Sequence, residues 1–273
     1  MSPYSALQLA EAFIRTGELA DALEALNSHL DTQPDDQEAL RLRASVLMRL
    51  PGADYARAAM ADLNAVSDKS EDDYVQESVI WQLGLGDWGQ AVTATEQAHG
   101  LALDDERITE RLLMLYEQVG EIEKAQKLIS ELPESWRWLQ LAGDLALRTH
   151  QAETAIEHYN KALVLLESKM DTVGNPIAQN IAGMIVGSRA NAYLEADQFA
   201  NAEADYRAAA EAFPKDLSYA LMVGITLALQ GKADEAVSLC KSVLRDEPSL
   251  VEMLREKVGV YPALKALMGR LGM

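Results

Sequence analysis

Seven alanines frame this chain. Ala22, Ala58, Ala91, Ala125, Ala155, Ala202 and Ala236 follow one another at intervals of 36, 33, 34, 30, 47 and 34 residues. Each comes a few residues after a break in helical periodicity, and glycine stands in four of those breaks, as Gly17, Gly86, Gly120 and Gly231. Glycine takes positive φ without steric penalty and so suits a turn between two helices. His150 and Asp197 hold the same place in two other units. The best-formed example runs from Ala190 to Pro214. There Ala190 and Tyr193 share a helix, a turn follows at Ala196-Asp197-Gln198, and Ala202, Tyr206 and Ala209 recur at the i, i+4, i+7 spacing of one helical face. Pro214 ends the second helix, because it has no N–H and disfavours helix at the residue before it. The pattern returns 34 residues later as Gly224, Leu227, Gly231, Ala236, Cys240, Val243 and Pro248. A helix pair this small cannot bury its apolar face alone, so successive pairs must stack. The alanine marks where two helices cross too closely for a larger side chain.

Taken in order, the units read about 3–36, 37–70, 72–105, 106–135, 136–168, 183–216 and 217–250. Pro3 suits the first helical turn, where a missing N–H costs nothing. The second unit is degenerate, and Pro51-Gly52 lengthens its turn by two residues. The fourth ends early at Pro133, which accounts for the 30-residue interval. The 47-residue interval carries 13 residues more than the repeat requires. Here the second helix of the fifth unit runs on past Leu166 toward Lys169, a turn spans Asp171 to Pro176, and Asn175 then caps a helix that starts at Pro176 and extends to about Ala196. This segment, 166–182, is expected to form an elongated helical hairpin projecting from the array. Residues 251–273 supply Leu254, Val258, Leu264, Leu267, Met268 and Leu271, broken at Tyr261-Pro262, and read as one or two short capping helices. No linker separates domains, so residues 1–250 form one continuous array.

The period and the residues Ala142-Gly143, Gly224, Tyr116, Tyr159, Tyr193, Tyr206, Pro34, Pro214 and Pro248 resemble the tetratricopeptide repeat (TPR) family over about 250 residues. Most first helices lack the family's tryptophan, and the second and third units match poorly. The resemblance implies an all-α fold, a right-handed α-solenoid of about seven helix-turn-helix repeats. It further implies that the first helices line a concave groove for a peptide or helix of a protein partner. One subset of the family grips a terminal carboxylate with Lys and Asn; Leu7 and Glu11 stand at the corresponding first-unit positions, so that clamp is absent.

Other chemistry finds little support. Gly84-Leu85-Gly86-Asp87-Trp88-Gly89 matches the dinucleotide fingerprint by letter, but a helix precedes it where the fingerprint needs a strand, and Gly86 is a repeat turn. His29, His99, His150 and His158 are scattered, and the single cysteine, Cys240, sits at an apolar repeat position, so neither a zinc site nor a nucleophile is expected. No metal, cofactor or catalytic set is predicted, and the chain reads as a non-enzyme. A net charge of −19 argues against nucleic acid, which needs clustered basic residues. No apolar run reaches the ~20 residues of a membrane helix, and the N-terminus lacks a secretory signal, so a cytoplasmic location is expected. Self-association stays open. The expected function is a protein–protein interaction scaffold or adaptor. The alternative is a regulatory or sensor subunit whose array binds a small ligand or signalling peptide.

Projecting the family's groove positions onto the units selects Arg15, Arg41, Arg49, Arg107, Arg137 and Arg148 among cations, against Glu11, Glu38, Asp73, Glu110, Glu117, Asp144 and Glu195. Met114, Gln140 and Asn191 join them, and the last unit adds Leu221, Ile225, Ala228 and Leu229, which a partner or the C-terminal tail could cover. All six cations are arginine, whose planar fork grips carboxylates in two-point contact. The expected partner therefore carries acidic groups toward the first five units and apolar ones toward the last. The competing expectation is that these arginines pair with groove acids on neighbouring helices.

Overall fold

The computed structural model describes residues 5–170 and 174–273. Pro3 and the centre of the expected turn at 171–173 lie outside the described residues. Among those described there is no strand, and no helix is long and apolar enough to cross a membrane. The chain is an all-α repeat array that clusters into two compact units, Met1–Leu128 and Ile129–Met273.

The first unit holds α1 (Ala6–Thr16), α2 (Leu19–Leu30), α3 (Gln37–Leu47), α4 (Ala53–Ala65), α5 (Glu71–Val79) continued by a π-helical segment (Ile80–Leu85), α6 (Trp88–Leu101) and α7 (Glu106–Val119). The boundary falls inside α8 (Ile122–Glu131). The second unit holds α9 (Trp136–Arg148), α10 (Ala152–Lys169), α11 (Pro176–Glu195), α12 (Phe199–Ala212), α13 (Leu217–Leu229), α14 (Ala233–Asp246), α15 (Val251–Val260) and α16 (Lys265–Leu271).

Local chemistry sets the helix ends. Side chains of Ser5, Asp36, Ser70, Asp87, Asp105, Ser135, Asn175 and Asp216 each accept a first-turn backbone N–H. They cap the first helices of the pairs and α6. Most second helices have no such cap because they follow a two- or three-residue turn. Positive φ at those turns is taken by Gly17, Gly86, Gly120 and Gly231, and by His150 (58°) and Asp197 (56°).

The register of close packing differs from the sequence expectation in one unit. The fourth residue of every second helix is a buried alanine: Ala22, Ala56, Ala91, Ala125, Ala155, Ala202 and Ala236. Ala58, expected in that role, is exposed. Pro51 and Gly52 lie outside α4, which already opens at Ala53; an opening two residues later, at Tyr55, would make Ala58 the fourth residue, about 200° of rotation away and on the opposite face. With Ala56 in place the first two intervals become 34 and 35. Twelve residues before each alanine stands a second buried residue on the first helix: Ala10, Ala44, Leu113, Gly143, Ala190 and Gly224. In the third pair the buried residue is Ser78, thirteen before Ala91. The π-helical segment takes up this extra residue, as a single-residue insertion into an α-helix does.

The same helices meet through small residues. A Cβ on Gly143 would fall 2.6–2.8 Å from ring atoms of Tyr159, and one on Gly84 would fall 2.6 Å from the Ala56 Cβ. In the second unit the long α10 and α11 are helical to Lys169 and from Pro176, with the Asn175 carboxamide accepting from the Ile177 and Ala178 N–H groups. Leu166 and Ile185 are fully buried in one cluster with Tyr159, against which Met170 and Ile181 pack, and Gly183 faces Ala212 and Phe213. Leu166, Met170 and Ile181 thus hold the two long helices together through apolar contacts.

Candidate partner-binding face

Arginines on the first helices divide into two groups by what their forks hold. Arg41 on α3 donates from Nε to both carboxylate oxygens of Asp73 at 3.0 Å, and from Nη2 to the Asp68 carbonyl at 2.8 Å. Asp73 is 1 % exposed and also closes the capping box of α5 by accepting from the Ser70 N–H. Arg41 is thus a tie between α3 and the start of α5. Two other arginines do the same work on a shared plan. Arg43 grips Asp62 through two bonds of 2.8 and 2.6 Å and reaches Asn27 of the preceding pair. In the second unit Arg189 grips Asp205 at 2.7 and 2.8 Å and reaches Asn160. Both arginines directly precede the buried small residue of their first helix, Ala44 and Ala190. These are structural clasps, and an arginine directly before the buried small residue of a first helix was the signal for them.

The other groove candidates spread over both units. Arg15 and Arg49 are exposed, and among the described residues neither makes an ion pair. Arg107 is 82 % exposed at its side chain and folds back on Asp105, the cap of its own helix. Glu110 is half-buried and Met114, one turn further on α7, is 46 % exposed. In the second unit Arg137 and Arg148 lie at the surface and Gln140 is half-buried. Asp144 accepts from the Tyr159 hydroxyl at 2.6 Å, and Asn191 accepts from the Tyr206 hydroxyl at 2.6 Å. Burial raises the Asp144 pKa, while the hydrogen bonds from Tyr159 and Ser188 work in the opposite direction. Glu195 holds His150 at 2.9 Å across two turns.

Leu221 and Ile225 are fully buried and are not open to a partner. The C-terminal segment covers them: Leu254, Leu264 and Leu267 share their cluster, and the Tyr261 hydroxyl donates to the Leu194 carbonyl at 3.1 Å while its ring meets Phe199 edge-on. The apolar character that suggested a docking end is the core contact of the cap.

The sequence projection missed Arg111 on α7. Its Nε and Nη2 donate to the Ser78 hydroxyl at 3.1 and 2.9 Å, and Nη2 also to the Gln82 side-chain oxygen at 2.8 Å. Gln82 belongs to the π-helical segment, and beside it Leu83 is 76 % exposed. That segment also walls a cavity of about 460 Å3 with Leu47, Leu50, Pro51, Val79 and Ile80. The thirteen-residue spacing from Ser78 to Ala91 was the trace of it in the sequence. No group of three or more His, Cys, Asp or Glu side chains converges among the described residues. Cys240 is buried, which pushes its thiol up to about 11.

Models of the tetratricopeptide repeat match residues 188–250 and 5–46. The chain is a tetratricopeptide-repeat protein. None of the curated proteins matches it. Among solved structures it is similar to the C-terminal part of a TPR repeat-containing protein from Cytophaga hutchinsonii, at 12% identity and a TM-score of 0.66, over 97% of this chain and 98% of that one. It is also similar to a chain in the structure of Naa15/Naa10 bound to HypK-THB, at 13% identity and a TM-score of 0.56, over 95% of this chain and 39% of that one. At these identities the likeness speaks for the fold.

Proposed function

We propose that this chain is a protein–protein interaction scaffold without chemistry of its own, which receives a peptide or helix of a partner on the face of its first helices. Its membership of a repeat family whose fold is generally a binding scaffold supports the class. One observation carries the choice of face. The large apolar side chains left open on the first helices include Leu83 at 76 % and Met114 at 46 % in the first unit and Ile177 at 67 % and Met184 at 50 % in the second, and Leu83 and Met114 lie within one helical turn of Gln82 and Arg111, whose polar groups already serve as ties. Exposed apolar groups rimmed by polar ones are a feature of interaction surfaces.

The test is capture of a stoichiometric partner from native lysate by wild type, by Leu83→Asp/Met114→Asp, and by Leu101→Asp. Leu101 closes the second helix α6 and is 59 % exposed, so it controls for surface charge alone. Loss of the partner from the double variant and retention by Leu101→Asp is the expected result. A partner kept by the double variant and lost from Leu101→Asp would move the interface to the second helices.

A further inference from the structure

Arg111 lacks what the other inward arginines have. Arg41, Arg43 and Arg189 each hold an aspartate in two-point contact. Arg111 is half-buried, yet both of its partners, Ser78 and Gln82, are neutral. The Ser78 hydroxyl lies 2.7 Å from that of Thr95, which lies 2.9 Å from the Ala91 carbonyl. With one proton on each hydroxyl and a carbonyl that only accepts, the donors run from Arg111 to Ser78, to Thr95, to the Ala91 carbonyl. This chain holds the guanidinium in place without neutralising it. Burial lowers its pKa, with no carboxylate near enough to oppose the shift. In a chain with 43 acidic residues, this half-buried cation has no counter-ion among the described residues.

Arg111 Nη1 has no partner among the described residues, and Gln82 accepts through its oxygen, leaving its amide N–H groups as donors. Both thus keep donors beside each other, and the guanidinium is the planar group suited to a carboxylate. Leu83, the next residue, lines the cavity of about 460 Å3 between the α3–α4 turn and the π-helical segment. The acid-binding donors thus lie on the α7 side of this segment and the cavity on the α4 side. In an extended peptide successive side chains point to opposite sides, at a rise of about 3.3 Å per residue. A peptide crossing the segment can therefore send one side chain each way.

We propose that Arg111 and Gln82 bind a carboxylate of the partner peptide, and that the cavity beside Leu83 takes a bulky apolar side chain adjacent to it. This rests on the groove reading and names the partner's chemistry, an acidic residue next to an aliphatic or aromatic one.

A phage-displayed library of random twelve-residue peptides, selected on the full chain, tests this. Selected peptides are expected to carry Asp or Glu beside a large apolar residue. Changing that acid to its amide should weaken binding about tenfold, the scale of one charge-assisted contact. Arg111→Gln should erase the tenfold discrimination, and Leu83→Ser, at an exposed position, should erase the apolar preference. Arg111→Lys, which keeps the charge without the fork, should retain only part of the discrimination and serves if Arg111→Gln does not fold. Peptides with no acidic preference, or with one that survives both Arg111 changes, overturn the subsite and leave the groove reading standing. Failure to select any peptide above background overturns both.

Discussion

Gly143→Ala is the sharpest probe of how these helices meet. The added Cβ would fall 2.6 Å from Cε1 and 2.8 Å from Cδ1 and Cζ of Tyr159. Carbon atoms in contact prefer about 3.5–4.0 Å, so the ring must retreat by about 1 Å. It is fully buried, and its hydroxyl donates to Asp144 at 2.6 Å. A 1 Å retreat stretches that bond to about 3.6 Å, beyond the useful range. Overpacking costs roughly 1–3 kcal/mol and the lost bond to a carboxylate about 1.5–3, while alanine returns about 1 kcal/mol of helix propensity. The net loss should be about 1.5–5 kcal/mol. Trp136 and Trp138 lie on the same helix, so urea unfolding followed by their fluorescence, with Trp81 and Trp88 changed to Phe, reads this pair of helices directly. The Tyr159→Leu variant removes the obstructing ring. Combined with Gly143→Ala it should lose at least ~1 kcal/mol less than the sum of the single changes, because propensity cancels in the cycle and the clash does not. Additivity within about 0.5 kcal/mol would show that Gly143 is not in contact with the ring and would refute the packing argument.

Two further outcomes follow from the ion pairs of the second unit. Burial alone would raise the Glu203 pKa, but donors on Gln230, Lys232 and Arg207 hold it down to about 2. Because the folded value lies below the unfolded one, this stabilisation is full above about pH 4.5 and is lost as pH falls toward 2. Glu203→Gln should therefore lower Tm at pH 7 more than at pH 3; an equal loss at both would contradict the assignment. Arg189→Met leaves Asp205 buried and unpaired and should cost about 3–5 kcal/mol by urea titration, whereas Arg189→Met with Asp205→Leu should recover most of it. A double variant as unstable as the single one would mean that the clasp acts by packing and not by charge.

Much of the fold was legible because it rests on local rules. Proline, glycine and capping residues act over three or four positions, so the helix ends at Lys169 and Pro176 and the positive φ of His150 and Asp197 could be read directly. The alanine register failed only at Ala58, where a turn of unusual length broke the count and tertiary packing selected Ala56. The π-helical segment is also a tertiary matter. One extra residue between Ser78 and Ala91 could have lengthened a turn, but the packing of Ser78 on Thr95 and of Gly84 on Ala56 fixes both ends and forces it into the helix. Side-chain pairing was the least legible. An arginine at a groove position looks the same in sequence whether it faces an aspartate or solvent. Only the fold brings Asp73 to Arg41 across 32 residues, seats the C-terminal segment on Leu221 and Ile225, and leaves Arg111 among neutral acceptors. Periodicity determined the array and its turns, because both are set by neighbours in the chain. Which positions remain open to a partner was decided in three dimensions, because that depends on which side chains the stacked helices have already used.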